Sequence, residues 1–282
     1  MAEAPAIVAE VRTYFKNKHM KPNLLVAIIL PFLSLWYPAG RITHQATLNP
    51  EGPDRVFAGD NPYRTIGTIP LPAGYSRVAL DSESFGQWLR NFPLKKNKFV
   101  YLYDGSLKKN QAAQFAVLDI SVGNQDLQQC ADAVMRIKAE YLYAKKRFDE
   151  ICFADNSHNR YVLGPARDRA HFKRYLDRVF VHCGTLSLEK QLHPVTSLNH
   201  LLPGDVLIQG GSPGHAMLVV DMAVCLATGK KIFLLAQSYM PAQDVHIVIN
   251  PGRPGDSPWY DLEKGKIITP EWNFNGGQFR TW

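Results

Sequence analysis

The sequence predicts one α+β domain, helices first and an antiparallel sheet after, behind an N-terminal export segment. Three observations carry this. Apolar residues at 127, 130, 131, 134, 137, 141, 144 and 148 recur at steps of three and four, the mark of a helix with one buried face. Four strand-like stretches joined by Gly, Pro and polar turns fill 204–250, and segregated helices and strands favour α+β over alternating α/β. From Met20 the chain reads "MKPNLLVAIILPFLSLWYPAG", a lysine, an apolar run and a small-residue exit.

Composition sets the limits. A chain of 282 residues with 46% hydrophobic and 20% charged residues buries a sizeable core, which excludes disorder and coiled coil. The formal charge of +7 favours anionic surroundings. The basic runs "LKKNK" (94–98) and "AKKR" (144–147) are short and read as solvated faces, so nucleic acid is not an expected partner. Cys130, Cys152, Cys183 and Cys225 lie 22, 31 and 42 residues apart, spacings that fit neither a zinc knuckle nor a dense disulfide framework. No metal or organic cofactor is expected.

In chain order, residues 1–40 are an N-terminal extension and a signal peptide or anchor. The run Leu24–Tyr37 contains Pro31 and is short for a spanning helix, so the protein is expected to be exported, periplasmic or extracellular, and to touch membrane only through this segment. Residues 41–282 form the domain: an irregular, Pro- and Gly-rich lead-in (41–75), a helical part (82–200) and a strand meander (204–282). "SESFGQWLRNF" (82–92) suggests a helix capped by Ser82 or Ser84. "KFVYLYDG" (98–105) and "AQFAVLDIS" (113–121) read as paired strands. The long helix follows, with Asn124 or Asp126 available as cap and Cys130 on its buried face. "EICFAD" (150–155) is strand-like, Asn156–Arg169 a polar loop, 168–182 a second amphipathic helix and 184–192 a short helix capped by Thr185. The strands 204–210, 215–224, 230–239 and 244–250 complete the sheet, and the tail adds one short strand and aromatic packing.

This order of elements suits a cysteine nucleophile. Unpaired N–H groups and the partial positive charge at a helix start favour thiolate, a nearby histidine accepts the proton, and a third polar group fixes the ring's tautomer. Cys130 at the front of the long helix, His215 at the head of one strand and Gln237 late in the next fit that plan. The strands of His215 and Gln237 are joined by the turn "LATGKK", which makes them antiparallel neighbours and brings the two side chains together.

The stretch "GDVLIQGGSPGHAMLVVDMAV...GKKIFLLAQSY" resembles the core of papain-like cell-wall amidases of the NlpC and CHAP types: a Gly-Asp strand, a Gly-His opening the next, and a polar residue on the strand after. The resemblance implies a papain-like fold with Cys130 as nucleophile, His215 as base and Gln237 as orienting residue, acting on peptide bonds of peptidoglycan. Two features depart from that pattern: the cysteine stands in "QQCADAV", without the flanking Asp or Asn and Ser-Gly, and 85 residues separate it from His215. Over about 95–280, "QQCADAVMRIKAEYLY", "CGTLSLEKQL", "LAQSYMPAQDVHI", "SPWY" and "TPEW" resemble an uncharacterised family of secreted bacterial proteins, a domain of unknown function.

Alternatives stand beside each residue. Cys183 precedes a short helix and is the rival nucleophile. Asp221 is the alternative ring partner, although it lies far along the extended strand. Gln129, with Gln125 and Gln128, is an oxyanion or substrate donor. Arg167, with Arg160 and Arg169, is placed to meet a substrate carboxylate. Trp259, with Tyr260 and Trp272, is expected to line a groove. His246 reads as a sheet residue. The expected function is a secreted cysteine hydrolase cutting an amide in cell-wall peptide or a related acyl compound; the alternative is a non-catalytic binding protein for cell-wall or glycan material.

Overall fold

The computed structural model describes residues 59–253, 257–261 and 265–282, all within one compact unit, Asp54–Trp282. The expected export segment and most of the lead-in lie outside the described residues. Among the described residues no helix is long and apolar enough to cross a membrane.

Among the described residues the fold is α+β around a nine-stranded antiparallel sheet. Its strands are β1 (Tyr75–Arg77), β2 (Gln114–Val117), β5 (His193–Pro194), β6 (Val206–Gln209), β7 (His215–Cys225), β8 (Lys231–Gln237), β9 (His246–Val248), β10 (Tyr260–Asp261) and β13 (Phe279–Thr281). The main path runs β2-β9-β8-β7-β6-β13-β5, with β1 added beside β7 and β10 beside β8. Two hairpins stand apart: β3 (Cys152–Ala154) with β4 (Arg160–Val162), and β11 (Lys266–Ile268) with β12 (Asn273–Asn275). The β6–β9 meander follows the four stretches expected from sequence.

The apolar run of β7 has a direct cause: the sheet is covered on both faces. Ala216, Leu218 and Val220 point to the helical side and pack with Leu89, Val134 and Leu188. Met217 and Val219 point the other way, toward Val248, Phe274 and Phe279. A bulge between Val219 and Asp221 shifts the register against β8, so that Met222 takes the second face and Ala223 the first.

The helices are α1 (Phe85–Arg90), α2 (Cys130–Ala144), α3 (Arg169–His182) and α4 (Thr185–Gln191). Of the two serines expected to cap α1, Ser84 does so, its Oγ accepting from the Gln87 N–H at 3.2 Å. Asp168 caps α3 by accepting from the Ala170 and His171 amides. Gly184, not Thr185, is the cap of α4. The expected caps of α2 are also corrected. Asp126 is committed elsewhere, accepting from the Ala242 N–H at 2.7 Å and from Gln129 Nε2 at 3.0 Å. Gln129 is the N-cap, and the Asp132 carboxylate accepts its N–H at 3.1 Å. The helix therefore begins later than the apolar pattern suggested, with Cys130 as its first residue.

The expected pairing of 98–105 with 113–121 does not form. Residues 98–105 make only isolated bridges, Tyr101 with Leu107 and Leu102 with Gln243, because the chain doubles back at Gly105, which adopts φ 84°. β2 instead pairs with β9. The loop 156–169 contains β4, which its polar composition hid.

Candidate functional site

Cys130, His215 and Gln237 come from three different elements, the start of α2, the start of β7 and the end of β8. All three are buried, at 8%, 1% and 1% exposure. Cys130 and His215 line one cleft of about 260 Å³ between the start of α2, the loop Gly211–Gly214 and the side chains of Tyr239, Met240 and Trp272.

The loop before His215 accounts for the Gly-His pair in the sequence. An added Cβ at Gly214 would stand 2.5 Å from Thr185 Oγ1, 2.6 Å from the Gly211 carbonyl oxygen and 2.7 Å from the Gln209 carbonyl oxygen. Two of those three are backbone atoms, so only glycine lets the chain turn from β6 into β7 so tightly. Thr185 holds the turn by donating its hydroxyl to the Gly211 carbonyl at 3.1 Å.

Gln237 Oε1 and His215 Nε2 are 2.7 Å apart. The proton's place follows from what lies behind the amide. Gln237 Nε2 donates to Glu271 Oε2 at 2.7 Å, and a carboxylate only accepts, so the amide oxygen faces the histidine. That oxygen accepts from Nε2–H and leaves Nδ1 as the unprotonated, basic nitrogen. Glu271 is itself held by Lys108 Nζ at 2.7 Å, a lysine only 7% exposed. Burial lowers the pKa of Lys108, opposed by Glu271. On the other side His246 donates Nδ1–H to the Asp244 carbonyl at 2.9 Å and turns Nε2 toward Gln237 Nε2 at 3.4 Å. His246 was expected as a plain sheet residue; it stands in β9 and is also part of this network.

Burial sets the charge state. It drives the His215 pKa down to about 4 against the opposing bond to Gln237, and it raises the Cys130 thiol although the Ala216 and Ala131 amides favour thiolate. The resting pair is therefore neutral thiol and neutral imidazole. The thiol makes no hydrogen bond to the ring among the described residues. Tyr239, Trp272 and Phe274 surround His215 with ring centroids at 4.9, 5.4 and 5.8 Å, which explains both its burial and its fixed orientation. Asp132, at the third position of α2, is driven well above the usual carboxylate range by burial, and its Oδ1 has no partner among the described residues.

The remaining sequence candidates divide. Gln129 lines the cleft, as does Trp272. Cys183 also lines it, but burial pushes its thiol up to about 12, which makes it the poorer nucleophile. Gln128 and Gln125 face a different pocket. Arg167 is not brought to the cleft: its guanidinium pairs with Asp149 at 2.8 Å and lies over Phe148 at 4.6 Å. Trp259 is corrected from groove to core, 2% exposed with its indole N–H donated to the Pro70 carbonyl at 2.8 Å. Tyr260 is buried too, its hydroxyl donated to the Ile249 carbonyl at 2.5 Å. Asp221 is no partner of His215; it bridges Arg77 at 2.7 Å and Arg90 at 2.8 Å. All four cysteines are free, and among the described residues no group of His, Cys, Asp and Glu is arranged to hold a metal ion. Lys108, Glu271 and the neighbourhood of His246 escaped sequence reasoning. "TPEW" was the one visible trace of Glu271.

The chain belongs to the family described as Domain of unknown function (4846), which matches over residues 66–164 and 154–281. No curated protein and no solved structure matches it.

Proposed function

We propose that this family member is a cysteine-dependent amide hydrolase working by a papain-like mechanism, with Cys130 as nucleophile, His215 as base and Gln237 as the residue that orients the ring. The observation that carries the reading is the chain Lys108–Glu271–Gln237–His215, which fixes the Nε2–H tautomer and reserves Nδ1 for proton transfer. A base held so firmly beside a cysteine that opens a helix is a costly arrangement in a merely structural pocket. Because thiol and imidazole rest uncharged, His215 takes the thiol proton as Cys130 attacks the carbonyl and returns it to the leaving amine. The free N–H groups at the first turn of α2 are the oxyanion donors. Water then opens the thioester.

Export to the cell envelope and peptidoglycan peptide as substrate belong to this proposal; they rest on the N-terminal sequence and on the resemblance to the cell-wall amidases. The neutral resting pair favours one second reading, a binding protein on the same scaffold. Alkylation separates the two. In a Cys225→Ser background, which removes the more accessible thiol of lowered pKa, iodoacetamide should modify Cys130 in the folded protein ahead of Cys152 and Cys183, and His215→Ala should suppress it while far-UV circular dichroism stays unchanged. A Cys130 that stays inert in a protein that still retains peptidoglycan fragments would sink the hydrolase and leave the binding protein.

A further inference from the structure

We infer that a second pocket, formed by α2, α3 and the loop 121–127, binds a small carboxylate carried on an apolar stem. It encloses about 260 Å³, room for a ligand of amino-acid size. Its most telling member is Gln128, 1% exposed. Gln128 Oε1 accepts from Arg136 Nη1 at 3.1 Å, and a guanidinium only donates, so the amide orientation is fixed. The amide nitrogen then meets no acceptor among the described residues. Buried N–H groups left in that state are rare in native folds, and because Gln128 borders this pocket, a small side-chain movement on binding brings its N–H to a ligand oxygen.

The charges around it favour an anion. Glu140 is shared by two guanidiniums, Arg136 Nε at 2.9 Å and Arg169 Nη1 at 2.5 Å, so this trio keeps one positive charge in excess. Lys173 and Asp177 pair at 2.7 Å and cancel. Arg136 retains Nη2, and Arg169 its second nitrogen, for a planar oxygen pair. Arg169 is held in place by stacking 4.5 Å over Tyr143. Phe172, Leu176 and Phe180 make the rest of the wall apolar, which suits a stem and not a bare ion. Phe180 also borders the Cys130 cleft, so an occupant sits next to it. The inference does not rest on the hydrolase reading, because binding is measured without turnover.

The full-length chain is titrated by calorimetry and by 1H–15N NMR with N-acetyl-leucine, with uncharged N-acetyl-leucinamide and with inorganic phosphate. N-acetyl-leucine should bind saturably in the millimolar range, with the amide and phosphate at least about tenfold weaker. Arg169→Gln, at a side chain 64% exposed and so without risk to folding, should weaken the carboxylate about tenfold, as should Gln128→Met. Cys130→Ser should leave the affinity unchanged. Absence of saturable binding, equal affinity for carboxylate and amide, indifference to Arg169→Gln, or loss on Cys130→Ser would each overturn the assignment.

Discussion

His215 and His246 are buried as neutral rings, and this makes acid a selective stress on the fold. An unfolded chain protonates each ring at its ordinary value of 6.5, whereas the folded chain holds His215 neutral down to about 4 and His246 down to about 3. Between pH 6.5 and those folded values the unfolded state binds more protons, so stability falls as pH falls; above 6.5 both states are neutral and the contribution vanishes. At pH 5 each ring sits one and a half pH units below its ordinary value, and at about 1.4 kcal/mol per unit each removes about 2 kcal/mol relative to pH 7. Asp132 and Asp205 act with the opposite sign, because burial raises their carboxyl pKa values and folding gains as they protonate. Their effect is common to wild type and variants and cancels in a comparison of slopes. The assay is urea unfolding at pH 7, 6 and 5 of wild type, His215→Gln and His246→Gln. Each variant should lose about 2 kcal/mol of the fall between pH 7 and 5, whatever its stability at pH 7. NMR of the wild type at pH 5 should still report His215 as the neutral Nε2–H tautomer. A slope unchanged in His215→Gln, or a ring that charges near pH 6.5, would refute the account of the site as a desolvated neutral pair.

Other consequences follow from the same geometry. Cys130 alkylation should climb with pH through neutrality without a plateau: at the ordinary thiol value of 9.0 about 1% is thiolate at pH 7, and burial lowers that fraction. A rate flat from pH 5 to 8 would instead reveal a standing ion pair. Gly214→Ala pushes a methyl into two backbone carbonyl oxygens and should cost about 2 kcal/mol or more in thermal unfolding, with a lower alkylation rate from a displaced His215. Asp221→Asn takes the fully buried anion from Arg77 and Arg90, which are 22% and 13% exposed and keep the Ile69 and Val78 carbonyls, and should cost about 3 kcal/mol, measured by urea unfolding, with no direct effect on the cleft. Glu271→Gln frees the Gln237 amide to turn over and leaves buried Lys108 without its anion; the His215 tautomer should become mixed by NMR and alkylation should slow about tenfold or more.

The parts of this fold that could be read in advance are those written in local periodicity. α3 shows steps of three and four because it buries one stripe, α2 shows them over its second half although Cys130–Met135 are buried all round, and β6–β9 show as apolar runs because both sheet faces are covered. The nearness of His215 and Gln237 was also local in origin: two strands joined by a short turn must be neighbours. The start of α2 was misplaced by several residues because the apolar stripe begins at Leu127, while the cap depends on Asp126 being occupied by Ala242, a residue 116 positions away. Trp259 was misjudged for a similar reason. An aromatic in a Pro-rich tail looks the same in sequence whether it lines a groove or reaches back to the carbonyl of Pro70.

The same division runs through the site. Cysteine, histidine and glutamine announce themselves by residue type and place, but what decides which nitrogen of His215 carries the proton is the shell behind them, and its members are far apart in sequence. Lys108 and Glu271 are 163 positions apart, and Glu271 and Gln237 are 34 apart. Lys108 carries no sequence signal that separates it from an ordinary surface charge, and Glu271 has only its place in "TPEW". The burial of Lys108 beside a mostly covered Glu271 is the signal, because a buried ammonium is retained only where its partners satisfy it. Here the partner is an amide whose direction sets the tautomer of a histidine. Remove the carboxylate, and Gln237 loses the reason to present its oxygen; remove the lysine, and the carboxylate is left beside an amide that gives it no counter-charge. The orientation of one ring thus rests on a charge pair contributed by two segments that have no periodicity to betray them.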